Sequence, residues 1–282
     1  MLERLKEIVV LALERFLKVK VLRKEAWGLL AQLEPANEKV LRWSHLTEID
    51  FFGLRKFILE NIKDSPSQLQ QDLVAQFIFL LSKELTKKVK PYFVEIGAND
   101  GVYLSNTFLL EKHFGWNGIL SEANDNLGES LKVNRKGSHI DSRAVTQNSG
   151  ELVEFTIAEN SEYSAVKNSS VHVQRLANAS HIIKESVNLT ELLREYSAPA
   201  KIDFLSIDTE GNELEILLGL DFKSFHFNFV AVEVSRDSER IAGLLGENGY
   251  TQILSQVSKW DQWWINSELL RELHKALPVG NS

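Results

Sequence analysis

Hydrophobic residues recur along this chain with two different spacings, and the spacing changes near residue 88. In the first part, apolar positions repeat every three to four residues, as on one face of a helix. Polar turns that contain proline separate these stretches, and Ser67 is a candidate cap for the last of them. The predicted helices cover residues 2–16, 21–33, 51–62 and 69–85. We therefore expect an N-terminal helical region over residues 1–88.

After Pro91 short apolar runs alternate with helix-like segments. The predicted strands cover residues 92–95, 118–122, 139–145, 202–208 and 229–234. The predicted helices between them cover residues 106–114, 126–135, 189–196, 213–218 and 238–248. Such alternation indicates a parallel sheet with helices on both faces. The fold class expected for residues 89–282 is therefore α/β and Rossmann-like.

Four further stretches interrupt or close this pattern. Residues 151–158 alternate apolar and polar side chains after a Ser-Gly turn, which predicts a strand paired antiparallel with its neighbour. Residues 160–180 are polar and lack periodicity, so we expect a long loop, of the kind that is often functional. Residues 251–256 and 262–265 are predicted as closing strands.

The composition limits the class of protein. The chain has 282 residues, 44% of them hydrophobic and 25% charged, as in ordinary globular domains. The absence of cysteine excludes disulfides, thiolate metal sites and a cysteine nucleophile. The net charge of −7 disfavours nonspecific binding of nucleic acid, so no nucleic-acid partner is expected.

The N-terminus predicts an amphipathic helix. It carries acidic residues and no small-residue cleavage site, so it does not resemble a signal peptide. No run of 18 apolar residues occurs, hence no transmembrane segment is predicted and a cytoplasmic location is expected. The helix is expected to pack on its own domain or on a second subunit, as in a homodimer. Its lysines and arginines leave open peripheral contact with anionic lipid.

The first candidate for chemistry is the stretch 92–101, YFVEIGANDG, in which an apolar strand ends in a glycine-punctuated turn before a helix. Strand, tight turn and helix bring a nucleotide-like ligand against bare backbone at the carboxyl edge of a parallel sheet. Glycine is expected at Gly97 and Gly101 because no side chain should separate backbone and ligand, and because such a turn can require a positive φ. Glu95 and Asp100 would repel a pyrophosphate but accept an ammonium, a sulfonium or ribose hydroxyls.

A second acid, Glu122, ends the next predicted strand, 21 residues after Gly101 (122 − 101 = 21). An acid about 20 residues beyond the glycine turn accepts hydrogen bonds from ribose hydroxyls in nucleotide-binding sheets. The sequence therefore predicts Glu122 as a ribose ligand.

A third group of acids lies at two later strand ends. Asp208 and Glu210 follow the apolar run 202–207, and Glu233 stands within an otherwise apolar strand. Unpaired carboxylates are costly to bury, so a site is the better explanation for them. They could accept a substrate proton, hold a ligand's amino group, or bind a divalent cation through oxygen. The histidines show no metal-binding spacing, and no metal ligand is assigned.

Aromatic residues cluster near the C-terminus, at Trp260, Trp263 and Trp264. Packing in the core and at the sheet edge is the simpler explanation of this cluster. A wall of a pocket for a sugar or an aromatic ligand is the alternative.

Taken together, the motifs FVEIGANDG, GILSE, GELVEF and IDFLSIDTEGNELEILLGLDF resemble the FkbM family of S-adenosylmethionine-dependent methyltransferases. The segment SQLQQDL at 67–73 resembles one that precedes the core in many members, and the resemblance covers residues 66–267. It implies a class I methyltransferase sheet. One position departs from the family: Ala123 stands where a proline commonly follows the acid. Asn99 replaces the central glycine of the wider methyltransferase motif, as is normal for this family.

The resemblance also implies roles for individual residues. The methionine half of the cofactor would be lined by Glu95, Gly97, Asn99, Asp100 and Gly101. Glu122 would bind the ribose, and the segment around Arg143, Ala144 and Val145 would flank the adenine. The residues that would face the reacting centre are Asp208, Glu210 and Glu233. Asp208 would also border the cofactor.

The expected reaction is O-methylation of a hydroxyl on a sugar, glycan or other natural product. Two other functions are considered. The fold could serve as a noncatalytic binding or assembly module, although the retained acids argue against this. An NAD-dependent dehydrogenase is disfavoured, because the turn is acidic and lacks the G-x-G-x-x-G pattern.

Overall fold

The computed structural model describes residues 53–87, 90–158, 164–166, 179–234 and 236–276. The predicted amphipathic N-terminal helix, the predicted helix 21–33 and most of the predicted loop 160–180 lie outside these ranges. The chain forms two compact units, residues 1–63 and 64–282. Within the described ranges no helix is long and apolar enough to cross a membrane.

In the first unit the described helix is α1, Leu54–Asn61. The helices of the second unit are α2 (Gln71–Thr86), α3 (Phe108–Phe114), α4 (Gly128–Asn134), α5 (Leu189–Glu195), α6 (Glu213–Leu218), α7 (Ser238–Glu247) and α8 (Ser267–Ala276). Its strands are β1 (Tyr92–Ile96), β2 (Asn117–Ser121), β3 (His139–Asp141), β4 (Ala144–Thr146), β5 (Leu152–Ile157), β6 (Ala165–Val166), β7 (Ser180–Asn188), β8 (Lys201–Ile207), β9 (His226–Glu233), β10 (Tyr250–Ile253) and β11 (Asp261–Asn266).

The main sheet has seven strands in the order β10-β11-β9-β8-β1-β2-β3. Strands β9, β8, β1, β2 and β3 run parallel, while β11 lies antiparallel to β9 and β10 antiparallel to β11. The carboxyl ends of β9, β8, β1 and β2 therefore meet along one edge, where parallel sheets of this kind bind ligands.

Successive side chains of a strand point to opposite faces of the sheet, so alternate residues pack in two different cores. On one face, apolar residues of β1, β8 and β9 such as Val94 and Leu205 pack with buried residues of α5, α6 and α7. On the other face Phe204 stacks on Phe229 with ring centroids 5.2 Å apart, and α2 contacts β8 and β9. The predicted α/β fold with helices on both faces is confirmed.

A smaller sheet, in the order β4-β7-β5-β6, stands beside the main one. As predicted, β5 pairs antiparallel, with β7 and β6 as its partners. The single predicted strand 139–145 is wrong: β3 joins the main sheet and β4 the small one. Between them Arg143 turns back to Asp141, with Nη2 2.6 Å from Oδ2. Part of the predicted loop 160–180 is also strand, as β6 and the first residue of β7.

Two features of the second unit differ from the sequence prediction. Helix α2 packs on the main sheet and lies in the second unit, although its sequence was assigned to the N-terminal helical region. The helix α8 follows β11 directly and contacts α2, and the predicted elements do not include it.

Candidate active site

A cavity of about 440 Å³ opens at the carboxyl edge of the main sheet, where β9, β8, β1 and β2 end. Most of the predicted site residues line it: Glu95, Gly97, Asn99, Glu122, Ala144, Asp208, Glu210 and Glu233. The two predicted residues that do not line it are Asp100 and Gly101. The topology therefore gathers acids from four separate strand ends into one recess.

The glycines of the turn after β1 are required by the protein's own packing. Gly97 has φ +87°, and a Cβ there would lie 1.8 Å from the carbonyl oxygen of Asp208. Gly101 has φ +80°, and its Cβ would lie 2.5 Å from Cγ of Arg135. Only glycine accepts such positive φ angles without strain. Both glycines therefore have the positive φ expected of this turn, and both clear space for neighbouring parts of the chain. Gly97 also lines the cavity, whereas Gly101 does not.

Asp100 shapes this turn from outside the cavity. Its Oδ1 accepts hydrogen bonds from the backbone N–H groups of Val102 and Tyr103, both 2.8 Å long. Such self-bonding is the usual reason for aspartate in a turn. A direct contact between Asp100 and a ligand in this cavity is not supported by its position.

Glu95 is buried at the base of the cavity, with 3% of its surface exposed. Its carboxylate accepts hydrogen bonds from the backbone N–H of Asn106, 2.7 Å away, and from the hydroxyls of Ser105 and Thr107. Burial raises the pKa of Glu95, whereas the charge of Arg135 and these hydrogen bonds act to lower it. Glu95 therefore fixes the segment after the glycine turn to β1.

Arg135, which the sequence analysis did not single out, completes this anchor. Its side chain is fully buried, with Nε 2.9 Å from Oε2 of Glu111 and Nη1 3.1 Å from the carbonyl oxygen of Gly101. Nη2 donates to the hydroxyl of Thr107, 2.8 Å away. The guanidinium thus holds the back of the turn whose front faces the cavity. A lone arginine at a helix end offers no sequence signal for this role.

Glu122 lies just beyond β2, on the same side of the cavity as the glycine turn. One carboxylate oxygen accepts from the backbone N–H of Asn99 and the other from that of Asn124, both at 2.8 Å. Burial raises the pKa of Glu122 to about 7, although both hydrogen bonds lower it. Each oxygen retains a lone pair for a further donor, such as a ribose hydroxyl.

Asp208 and Glu233 form a pair of carboxyl groups that hydrogen-bond to each other at the ends of β8 and β9. Asp208 opens onto the cavity, yet the protein around it desolvates the carboxyl and raises its pKa well above the usual range, and Glu233 raises it further. Burial raises the pKa of Glu233 to about 7, and the Asp208 hydrogen bond opposes this rise. Like charges this close cannot both ionise easily, so the two carboxyl groups favour holding one proton between them.

More acids surround this pair. Glu210 has one carboxylate oxygen within 4.8 Å of oxygens of both Asp208 and Glu233, an arrangement that could hold a divalent cation. Asp261 stands opposite Glu233 in the antiparallel register of β9 and β11. Glu213 plays a structural part, because its Oε1 accepts from the backbone N–H of Gly211, 2.7 Å away.

The remaining walls combine the segment 143–145 with aromatic side chains. Arg143, Ala144 and Val145 all line the cavity, and their contact with an adenine stays a prediction. Trp260 and Tyr103 also line it and are 45% and 55% exposed. Trp263 and Trp264, in contrast, are buried. The tryptophan cluster is therefore divided between the core and the cavity wall.

The charge of the cavity identifies the kind of ligand that it suits. Five carboxyl groups and one arginine are found among the described residues that line it. That arginine, Arg143, is paired with Asp141 and Glu195. A cationic ligand such as a sulfonium with an ammonium group matches this surface, while a phosphate would meet repulsion.

Comparison with known sequences gives one family. The model of the Methyltransferase FkbM domain matches residues 95–268, which is more than half of the chain. None of the curated proteins matches the chain.

Several solved structures are distantly similar. Methyltransferase FkbM from Methylobacillus flagellatus KT is 13% identical, with 85% of this chain and 64% of that one covered and a TM-score of 0.39. The METTL16 MTase domain is 12% identical over 68% and 66% of the two chains, with a TM-score of 0.38. An O-methyltransferase from Bacillus cereus in complex with SAH is 10% identical over 81% and 96%, with a TM-score of 0.37. Likenesses at this level carry no conclusion about substrate.

Proposed function

This chain belongs to the FkbM methyltransferase family, and from that premise we propose that it methylates a hydroxyl oxygen of a sugar, glycan or related natural product, using S-adenosylmethionine. One observation carries the proposal: the cavity at the sheet edge holds five carboxyl groups, and two of them share a hydrogen bond. The first property suits a cationic methyl donor. The second supplies a base for the acceptor.

S-adenosylmethionine supplies an activated methyl group on a sulfonium, which is a good leaving group. Glu122 would hold the ribose, Ala144 and its neighbours the adenine, and the turn at Gly97 and Asn99 the methionine half. The part left to the protein is to align the acceptor oxygen with the methyl group, which accounts for much of the rate in reactions of this type.

Glu233 is the base that we assign. A hydroxyl must lose its proton as its oxygen attacks, and the proton needs an acceptor within hydrogen-bond reach. We place the shared proton on Asp208, because burial and Glu233 both raise its pKa while the Asp208 hydrogen bond lowers that of Glu233, which leaves Glu233 as the anionic member. Protonated Asp208 then orients Glu233 by their hydrogen bond. Because it is neutral, it does not repel the negative charge of Glu233.

The acceptor class is supported by the walls of the cavity. Trp260 and Tyr103 present exposed rings beside the acids. Aromatic faces next to carboxyl groups suit a molecule with both apolar C–H surface and hydroxyls, as in sugars. Phenols are the second acceptor class that such a wall would accept.

A divalent cation on Asp208, Glu210 and Glu233 would be an alternative way to lower the pKa of the acceptor hydroxyl. The mutual hydrogen bond between Asp208 and Glu233 favours the metal-free base. Methyl transfer measured with and without EDTA separates the two, since a metal-dependent enzyme would lose its activity in the chelator.

The test begins with calorimetric titration of S-adenosylmethionine, followed by a mass-detected methyl-transfer screen over nucleotide sugars, glycosides and phenols. We expect binding and a mass gain of one methyl group on a hydroxyl compound. No binding at millimolar cofactor would overturn the enzyme proposal. Binding without transfer to any acceptor would favour the noncatalytic module. The cytoplasmic location, a homodimer and membrane contact remain predictions.

A further inference from the structure

The segment 67–73, SQLQQDL, stands out in the sequence, and the reaction described above does not use it. In the structure it forms the turn that leads into α2, and its polar side chains are mostly buried: Ser67, Gln70 and Asp72 have no exposed surface and Gln71 has 4%. Burying so many polar groups is costly unless each is fixed by hydrogen bonds.

Internal hydrogen bonds hold this turn in an uncommon backbone conformation. Gln70 has φ +65°, which non-glycine residues rarely adopt. Its side-chain amide folds back and donates to the carbonyl oxygens of Ser67 and Gln68, at 3.1 and 3.3 Å. The hydroxyl of Ser67 accepts from the backbone N–H of Gln71, and Oε1 of Gln71 accepts from that of Leu69. Strain maintained by such a network often marks a functional position.

The turn is also tied to the cavity on two sides. The hydroxyl of Ser67 donates to Oδ1 of Asn106, 2.7 Å away, and the amide of Asn106 reaches the hydroxyl of Ser206 at 2.9 Å. Asn106 and Ser206 both line the cavity.

On the other side, Nε2 of Gln71 donates to Oδ2 of Asp261 at 2.8 Å, and Asp261 lies opposite Glu233 in the sheet. The link through Asp261 therefore holds the turn next to the Asp208–Glu233 pair, while Asn106 also donates its backbone N–H to Glu95 on β1. Glu122 and the glycine turn lie toward the other end of the edge, beyond β2 and β1.

Gln68 is the exception within this segment. Its side chain is exposed, and it lines the cavity. The side chains of Ser67, Gln70 and Gln71 are buried in the anchoring network, so Gln68 is the amide side chain that the turn presents to the cavity.

We propose that Gln68 is a specificity-determining residue that binds the methyl acceptor, and that the Ser67–Asp72 turn is its rigid support. This inference rests on the proposed function. A carboxamide offers both a donor and an acceptor, so it can pair with a hydroxyl that donates and accepts at once. Because Gln68 lies near the base that takes the proton of one acceptor hydroxyl, its carboxamide can hydrogen-bond a second hydroxyl of the same acceptor molecule. The acceptor class is therefore a polyol with neighbouring hydroxyls, and a simple phenol lacks the group that Gln68 would recognise.

The experiment compares the wild type, Gln68→Ala and the control Gln252→Ala. Gln252 is an exposed glutamine on β10, outside the cavity, so the control removes the same side chain elsewhere. For each protein, the affinity for S-adenosylmethionine is measured by calorimetry and kcat/KM by methyl transfer to glycosides and to monohydroxy phenols. Gln68→Ala is expected to lower kcat/KM for glycosides about five- to tenfold, as loss of one hydrogen bond does. Its cofactor affinity and its phenol kinetics should match those of the control.

Each other outcome is decisive. Equal glycoside kinetics in Gln68→Ala and Gln252→Ala would overturn the role of Gln68. Weaker cofactor binding in Gln68→Ala would place the residue on the cofactor side and overturn it as well. Transfer to phenols alone in the wild type would overturn the polyol class. Absence of transfer in the wild type, with the cofactor bound, would instead overturn the proposed reaction and this inference with it.

Discussion

The two sides of the cavity carry acids that are held in opposite ways. On the β1–β2 side, Glu95 and Glu122 accept hydrogen bonds from backbone N–H groups, and Glu95 also lies 3.7 Å from Nη1 of Arg135. On the β8–β9 side, Asp208 and Glu233 bond to each other, and Oε2 of Glu233 has no hydrogen-bond partner among the described residues.

This difference separates geometry from chemistry. Carboxylates whose oxygens are occupied by fixed donors keep a loop in place and present a constant surface to a ligand. Carboxyl groups that share a proton are poised to exchange one, because the pKa of each depends on the charge of the other. We therefore expect damage to the first side to appear as lost stability or cofactor affinity, and damage to the second as lost turnover.

The largest expected effect is on turnover in Glu233→Gln. Removing a general base typically slows a reaction about 10²- to 10⁴-fold. The variant should keep its melting temperature, because the change removes a charge from a crowded group of acids. The measurements are kcat at saturating substrates and thermal unfolding. A variant that melts far below the wild type would show that the β8–β9 side is structural too.

The next effect is on stability in Glu95→Ala. The change leaves the buried N–H of Asn106 without its acceptor and removes a negative charge beside buried Arg135. The expected loss is about 3 kcal/mol in the free energy of unfolding, measured by urea denaturation. Glu129→Ala is the control, because among the described residues Glu129 pairs only with the exposed Lys132. This variant should change stability by less than about 1 kcal/mol. Equal losses in the two variants would refute the anchoring role.

A smaller effect is expected on cofactor affinity in Glu122→Gln. The amide can accept only one of the two backbone hydrogen bonds from Asn99 and Asn124, and it carries no charge. Affinity for S-adenosylmethionine should fall about tenfold, or about 1.4 kcal/mol, in calorimetry. At saturating cofactor, kcat should stay within about twofold of the wild type, since the residue is remote from the base. A large loss of kcat would place Glu122 at the reacting centre.

Much of the β8–β9 side could be predicted from sequence. Asp208 and Glu233 end or interrupt apolar runs, and the parallel topology brings such strand ends to one edge. The sequence cannot show that the two carboxyls bond to each other, because this depends on the spacing of adjacent strands and on the burial of each group.

The anchors of the β1–β2 side were harder to predict. The partners of Arg135 lie 24 to 34 residues away at Glu111 and Gly101, with no spacing that marks them.

The role of Gln68 was equally hard to predict from sequence. Its position depends on the positive φ of Gln70 and on the hydrogen bonds that its neighbours in the turn make to Asn106 and Asp261. Long-range hydrogen bonds, rather than local propensity, fix these side chains.

The last expected effect is the pH dependence that the Asp208–Glu233 pair gives to the reaction. The pKa of Glu233 is raised to about 7, so below this value Glu233 gains a proton and cannot take one from the acceptor. We expect kcat to fall about tenfold for each pH unit below that pKa and to level off above it. Glu122 also has a pKa near 7, which could produce a similar limb in cofactor binding. The assay is therefore run at saturating cofactor in the wild type and in Glu122→Gln. If kcat still falls at low pH in Glu122→Gln, the titrating group belongs to the Asp208–Glu233 pair. If the fall disappears in this variant, the titrating group is Glu122, and the β1–β2 side rather than the β8–β9 side carries the proton chemistry.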